Sequence, residues 1–406
     1  MPDRWREIPP TAGLPPRWSD FLPRARANVL ESTLAGILEV PSVQIECSGT
    51  AALVIALTTL KQMSGRRSVV IPAYTCPLVA LAVLHCGLRP VVCDLQRNHF
   101  GLSPEAMEQA CNDDTLAIVP THLGGRVADL NMVSTVARRN GAWVIEDAAQ
   151  SLGATYQGRP VATFGDIGFC SLAVGKGLTL YEGGVLAARD ESLRRALRET
   201  SAQAVPYRAA WEALRVAQLF AYGMFYRPAG LRLAYGVPLR RALKRNRLID
   251  AVGDDVPSGI PIHRVGTVRR MIGGNASIRL ASFLTMLSEQ AIARKKDLER
   301  ISGVTVMEDS HGNEGTWPFL MVLMPTARIR DAALARLWTA GLGVSRLFIH
   351  ALPDYPRLAG KFGTPDVPNA RDFAARMLTI SNSPWLLDRD FATIQSVLAG
   401  VIDAAA

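Results

Sequence analysis

The 406-residue sequence predicts an α/β protein: a mostly parallel sheet sandwiched by helices, with a smaller α+β domain at the C-terminal end. Three observations predict it. Short apolar runs at residues 43–47, 69–71, 90–94, 116–120 and 142–146 alternate with helical patterns, so a strand–loop–helix–loop–strand unit recurs four times. These runs are apolar throughout rather than every second residue, which marks strands buried on both faces and hence a parallel sheet covered by helices. From residue 304 the pattern changes, with strands at 304–307, 317–323, 344–346 and 378–380 set among helices at 329–340, 370–377 and 388–402. With 49% hydrophobic and 20% charged residues, such a chain can bury a large core.

In chain order, residues 1–20 are rich in Pro, Trp and Arg and read as an extended N-terminal arm. Residues 26–40 carry Val29, Leu30, Leu34, Ile37 and Leu38 at helical spacing. The strand at 43–47 passes through Ser48-Gly49-Thr50 into a helix over 51–60, and further helices are expected at 77–86, 104–111 and 130–139. Strands at 167–172 and 184–187 flank a glycine-rich turn holding Lys176, and a helix follows at 191–201. Residues 21–202 thus form a large α/β domain, 203–262 a basic helical insert, and 263–406 a small α+β domain entered through a connecting helix over 278–301.

The start of the chain, MPDRWREIPP, lacks the apolar run of a signal peptide. The most apolar region, 69–92, is interrupted by Pro72, Pro77, His85 and Gly87 and does not read as a membrane span. Both points lead to the expectation of a cytoplasmic protein. Six cysteines without CxxC spacing read as reduced, buried thiols, and six histidines without an HxxxH or HExxH pattern speak against a metal. The formal charge of +9 is localised: residues 208–249 hold nine cations against Glu212 alone, a net +8, which leaves the rest near neutral. Two readings of that segment stand side by side. One is an amphipathic insert packed on the core or on a partner subunit with a solvated basic face. The other is a surface for polyanions, either a pyrophosphate-linked substrate or an anionic membrane. No nucleic-acid recognition motif accompanies the charge.

The chemistry centres on residues 143–184. An apolar strand ends in Glu146 and Asp147, and Lys176 lies thirty residues on in its glycine-rich turn. In parallel sheets ligands bind beyond the carboxyl ends of the strands, and Ser48, Tyr74, His122 and Asp147 all fall at such ends. The turn at Ser48 places hydroxyls and free backbone N–H groups at a helix N-terminus, which suits a phosphate, although plain helix capping explains the same residues. A carboxylate, a lysine and a phosphate cradle at one sheet mouth suggest pyridoxal 5'-phosphate: lysine bonds to the cofactor aldehyde and the carboxylate keeps the ring nitrogen protonated. The alternative from spacing alone is a loop-capping Asp147 and a solvated Lys176.

The runs SGTAAL, IPAYTCP, PTHLGGRVADL, VIEDAAQSLGA, GDIGFCSLAVGK and EGG resemble the DegT/DnrJ/EryC1/StrS sugar aminotransferases, pyridoxal-phosphate enzymes of fold type I. The similarity is strong over about residues 30–190 and returns in RMIGGNASIRLA and in PNARDFAARMLTISNSPWLLDRDF. It implies that Lys176 is the lysine bonded to the cofactor and that Asp147 pairs with the pyridinium nitrogen. It implies further that Gln150 contacts the phenolic-oxygen side, and that Ser171 binds the phosphate with Gly49, Thr50 and Ala51. It also implies glutamate as amino donor, a keto-sugar nucleotide as acceptor, and a homodimer. Relatives with histidine in place of the lysine act as sugar dehydratases; this chain keeps Lys176. Four positions depart from the family pattern. Cys76 stands where an aromatic ring usually stacks on the cofactor, so either Tyr74 takes that part or Cys76 lies against the ring. Gly175 replaces part of the usual lysine motif, Tyr181 a usual glycine, and Val268 the asparagine that reaches the partner's phosphate, with Arg269 a candidate substitute. The expected activity is therefore amino transfer to a nucleotide-linked keto-sugar. The alternatives are transamination of a non-sugar ketone or aldehyde, and a scaffold that binds the cofactor without turnover.

Overall fold

A computed structural model describes residues 5–23 and 28–405. Residues 1–4 of the arm, and 26 and 27 at the start of the first expected helix, lie outside the described residues. The chain builds helix α1 (Val29–Ile37), strand β1 (Gln44–Glu46), α2 (Gly49–Met63), β2 (Ser68–Pro72), α3 (Pro77–His85), β3 (Arg89–Cys93), α4 (Pro104–Ala110) and β4 (Thr115–Ile118). It continues with α5 (Leu130–Asn140), β5 (Trp143–Asp147), the short hairpin β6 (Thr155–Tyr156) and β7 (Arg159–Pro160), then β8 (Ile167–Ser171), β9 (Gly184–Ala187) and α6 (Glu191–Ala204).

Seven of these strands form one sheet in the order β1-β9-β8-β5-β4-β2-β3. Strands β8, β5, β4, β2 and β3 run parallel, and β9 is antiparallel to both of its neighbours. Strands β2, β4 and β8 are buried at every residue, which is why their sequences show no polar alternation. The tail of β5 and the start of the following loop therefore emerge at one sheet edge together with the N-terminus of α2, and the isolated bridge Thr121–Asp147 extends that edge.

The segment 203–262 is helical: α7 (Ala209–Phe225), α8 (Pro228–Leu231), a π-turn over Arg232–Gly236, α9 (Val237–Lys244) and α10 (Leu248–Val252). Next come α11 (Thr267–Ser277) and the long α12 (Leu280–Leu298). The C-terminal unit adds β10 (Thr305–Val306), β11 (Asn313–Glu314), β12 (Phe319–Leu323), α13 (Ala327–Leu337), β13 (Val344–Ser345), α14 (Pro368–Arg376), β14 (Met377–Ser381) and α15 (Asp388–Asp403). Its sheet is antiparallel in the order β10-β12-β14-β13, while β11 pairs back onto β6 of the large domain.

The N-terminal arm is built into the body. Glu7, Ile8, Ala12 and Leu14 are buried. Ile8 N–H bonds Gly341 C=O at 2.9 Å, Ala12 N–H bonds Pro318 C=O at 2.8 Å and Leu14 N–H bonds Gly177 C=O at 3.1 Å. Glu7 accepts from Arg240 at 2.6 Å and from Arg232 at 3.3 Å, so two cations of the basic segment hold the arm. Those partners lie over 200 residues away and are invisible to local pattern.

Candidate active site

Adjacent carboxylates on a strand point to opposite faces, and the two at the end of β5 have separate fates. Glu146 accepts N–H bonds from Ala162 (2.8 Å), Phe164 (2.6 Å) and Gly165 (2.5 Å). It also accepts from His122 Nε2 at 3.1 Å, since His122 Nδ1 is itself the acceptor for Ala128 N–H at 3.1 Å. Glu146 and His122 are therefore a saturated, fully buried anchor for the loop before β8. Asp147 is also buried, but among the described residues its carboxylate accepts only Ala149 N–H, at 3.0 Å. Burial raises its pKa to about 6, against the Ala149 N–H and the neighbouring Lys176 and His122, which pull it down.

Lys176 sits in the loop between β8 and β9, where Gly175 takes φ +79°, a left-handed conformation that glycine adopts without steric cost. The loop is closed by Lys176 N–H to Ala173 C=O at 3.2 Å. The side chain is partly exposed, yet burial around its amine lowers the pKa, opposed by Cys76 and Asp147. A depressed ammonium pKa enlarges the neutral, nucleophilic fraction. The arm crosses this loop tightly: a Cβ on Gly13 would stand 2.9 Å from Lys176 C=O. Gly13 N–H donates to the Tyr226 hydroxyl at 3.0 Å.

The third corner is the N-terminus of α2. Ser48 Oγ caps the helix by accepting Ala51 N–H at 3.0 Å. That occupies one of the three donors expected to meet a phosphate, so Ala51 N–H is not free. Among the described residues the N–H groups of Gly49 and Thr50 have no partner, as orphan donors of a helix's first turn. Ser171, at the end of β8, lies against this turn, since a Cβ on Gly49 would be 3.4 Å from Ser171 Cβ. Gln150 Oε1 accepts Gly124 N–H at 2.6 Å, which leaves its amide NH₂ without a partner among the described residues. Gln150, Ser171 and Lys176 line one pocket with Ala12, Thr316 and Pro318. Through Leu284 and Thr316 this pocket meets a groove of about 790 Å³ that Trp317 also lines.

The two candidates for the cofactor face separate. Tyr74 is fully buried, its hydroxyl bonded to the Phe348 backbone at 3.2 Å and its ring edge-on to Phe348 and Phe373. It is a core residue, packed in the cluster that holds Phe348 and Phe373. Cys76 caps the start of α3 and is partly buried. Burial pushes its thiol up to about 12, with Asp254 and Asp147 adding and Lys176 opposing. It is a neutral, soft group close enough to the Asp147–Lys176 pair to feel both charges. Tyr181 occupies its glycine-like position at φ +67°. Its N–H bonds Thr179 Oγ1 at 2.9 Å, and the Arg215 guanidinium lies 5.8 Å from its ring centre. Arg269 does not offer itself to another subunit. It is 0% exposed, with its guanidinium on Glu212 and on the carbonyls of Leu180 and Glu182. Val268 beside it is 43% exposed. Sequence reasoning missed the arm residues Ala12 and Gly13; the small-residue run Thr11-Ala12-Gly13 was the available signal.

A family model described as the DegT/DnrJ/EryC1/StrS aminotransferase family matches residues 24–231. The chain is 35% identical over 181 residues to a UDP-N-acetyl-3-dehydro-alpha-D-glucosamine 3-aminotransferase of Acidithiobacillus ferrooxidans, covering 44% of this chain and 49% of that protein. It is 33% identical over 195 residues to GDP-perosamine synthase of Caulobacter vibrioides, covering 48% of this chain and 50% of that one. The chain thus spans about half the length of the curated relatives it matches. Its fold superposes on Helicobacter pylori PseC, an aminotransferase of pseudoaminic acid biosynthesis, with a TM-score of 0.76 at 15% identity, over 98% of this chain and 100% of the other.

Proposed function

The chain belongs to the DegT/DnrJ/EryC1/StrS aminotransferase family, and on that premise we propose that it is a pyridoxal-phosphate-dependent aminotransferase. It transfers an amino group from glutamate to a nucleotide-linked keto-sugar in amino-sugar or polysaccharide biosynthesis. The observation that carries the reading is the buried Asp147, a carboxylate with a single hydrogen bond, facing an amine, Lys176, whose pKa burial depresses. A buried, under-bonded carboxylate calls for a cationic N–H partner, and a protonated pyridine supplies one. Orphan N–H groups at Gly49 and Thr50, with Ser171 beside them, suit a phosphate. The residues present therefore fit the cofactor.

In this reading Asp147 holds the ring nitrogen, Gly49, Thr50 and Ser171 hold the phosphate, the Gln150 amide faces the phenolic oxygen, and Cys76 packs beside the ring. When bound, the cofactor withdraws electrons from the substrate's α-carbon. Lys176 Nζ carries the proton to and from that carbon, a task suited to an amine brought closer to neutral pH. The arm residues Ala12 and Gly13 close over the lysine loop and limit water. The relatives named for UDP- and GDP-linked sugars support a nucleotide-linked acceptor.

A homodimer is part of the proposal. The groove beside the pocket carries Lys295 and Lys296 against Glu299, Glu308, Asp309 and Glu314, too few cations for a pyrophosphate, so a second copy is the natural source of the rest. Ile278 and Ile292 are 74% and 61% exposed and offer apolar contact surface for it. Six free thiols fit a reducing, cytoplasmic location. Among the described residues no helix is long and apolar enough to cross a membrane; contact of 208–249 with an anionic membrane surface rests on separate observations.

Protein reconstituted with pyridoxal 5'-phosphate should be yellow, lose its visible band on mixing with glutamate, and regain it with a keto-sugar nucleotide. Lys176→Ala should never develop the lysine-linked band. A protein that binds the cofactor yet reacts with no amino acid would make it a scaffold and overturn the proposal.

A further inference from the structure

The basic segment has an outer face that the reaction at Lys176 does not use. On α7, Leu214, Ala217, Ala221 and Met224 recur at helical spacing and all are exposed. Phe220 and Phe225 join them at 39% and 45% exposure. The turn Trp18–Phe21 of the arm packs on the same helix, with the Phe21 and Phe220 rings 4.6 Å apart. That contact brings Trp18, 60% exposed, and Leu22, 45% exposed, next to the helix. Beyond α8, Leu233 in the π-turn Arg232–Gly236 is 65% exposed.

The cations of the segment divide in two. Arg215, Arg232, Arg240 and Arg247 are spent on Glu182, Glu7 and Asp250. Arg208, Arg227, Arg241, Lys244 and Arg245 are exposed and have no ion-pair partner among the described residues. Segment 208–249 holds one carboxylate, and Glu212 is buried under Arg269. Segment 208–249 thus combines exposed aromatic and aliphatic side chains with five cations that have no ion-pair partner among the described residues, and its one carboxylate is buried.

We propose that this face, formed by α7, α9 and the Trp18–Phe21 turn, docks the protein on an anionic lipid bilayer, the apolar stripe entering the interface and the five free cations meeting lipid phosphates. Peripheral binding draws on these two terms together, buried apolar area and attraction to anionic headgroups. A second copy is the poorer occupant. A two-fold interface opposes each patch to itself and would bring two sets of five unpaired cations together. The docking is independent of the reaction at Lys176.

The test is flotation of the full-length holoenzyme with phosphatidylcholine vesicles, with and without phosphatidylglycerol. Binding is expected only with the anionic vesicles and should weaken as salt is raised. Arg241→Ala with Arg245→Ala should lower the partition coefficient about 25-fold, roughly fivefold for each cation removed. Met224→Ser with Phe225→Ser should abolish the binding that survives at high salt. Neither pair touches the pocket, so an unchanged visible band and glutamate half-reaction certify the fold. Equal behaviour with both vesicle types would overturn the proposal. So would retention on heparin without flotation, which assigns a soluble polyanion, or loss of self-association in Met224→Ser/Phe225→Ser without any vesicle binding, which assigns a second copy.

Discussion

Replacing Asp147 by Asn should make the cofactor-free protein more stable and the cofactor-bound protein less so. The carboxylate is buried, and its pKa rises from 3.8 to about 6. A folded-state pKa above the unfolded one means that the folded chain binds the proton more tightly. The resulting stabilisation is complete below the unfolded pKa and is lost as pH rises through about 6. A gap of about two units amounts to about 3 kcal/mol lost by pH 8. Asn keeps an oxygen for Ala149 N–H, occupies nearly the same volume and carries no charge, so it escapes that loss. About half of that loss falls between pH 5 and pH 8, and for a chain of this length about 1.5 kcal/mol shifts the melting temperature by about 2 °C. The assay is thermal melting of wild type and Asp147→Asn at pH 5 and pH 8, each with and without pyridoxal 5'-phosphate. Asp254 titrates in the same window, with a pKa also raised to about 6 by burial, so the readout is the difference between the two proteins. Without cofactor, the variant should gain at pH 8 relative to pH 5; with cofactor, wild type should be the more stable. An Asn variant that melts lower than wild type without cofactor at pH 8 would refute the reasoning, because Asp147 would then hold the fold together rather than wait for a partner.

Three further outcomes follow from the same geometry. Ser48→Ala removes the cap on Ala51 N–H and should cost about 1 kcal/mol, read as a lower denaturant midpoint. Arg269→Ala leaves Glu212 buried without its guanidinium and should cost about 3–5 kcal/mol; a loss confined to cofactor affinity, with the midpoint unchanged, would contradict the structural role given to Arg269. Tyr226→Phe removes the acceptor for Gly13 N–H and should cost about 1–3 kcal/mol locally, seen as faster amide exchange at residues 11–14 and a raised KM with the global midpoint nearly unchanged.

The residues of the pocket differ in how far local pattern revealed them. Asp147, Ser171 and Gly49 stand at the ends of strands or the start of a helix that hydrophobic pattern locates within a residue or two. Their convergence follows from the rule that ligands meet the carboxyl ends of parallel strands. Tyr74 obeys the same rule, yet its ring is packed edge-on against Phe348 and Phe373. A strand end locates a backbone position, while the rotamer is chosen by neighbours about 270 and 300 residues distant. Arg269 shows the same limit: an arginine in a motif read as an outward contact is drawn inward by a carboxylate 57 residues before it. The α11 helix that carries it was read only as a motif.

The amino-acid sequence by itself determined the α/β class and the buried parallel strands, because each depends on residue type and spacing within a few dozen residues, and it placed a carboxylate, a lysine and a helix N-terminus at the ends of those strands. Only the tertiary structure decided which of two adjacent carboxylates is free. Glu146 is saturated by three backbone N–H groups and His122, whereas Asp147 accepts one. It also decided that the first strand, β1, lies beyond β9 at the far edge of the sheet, and that the N-terminal arm crosses the lysine loop under the hydroxyl of Tyr226. The last two depend on contacts between residues more than a hundred positions apart, which leave no periodic trace in the chain and are chosen by the packing of the whole.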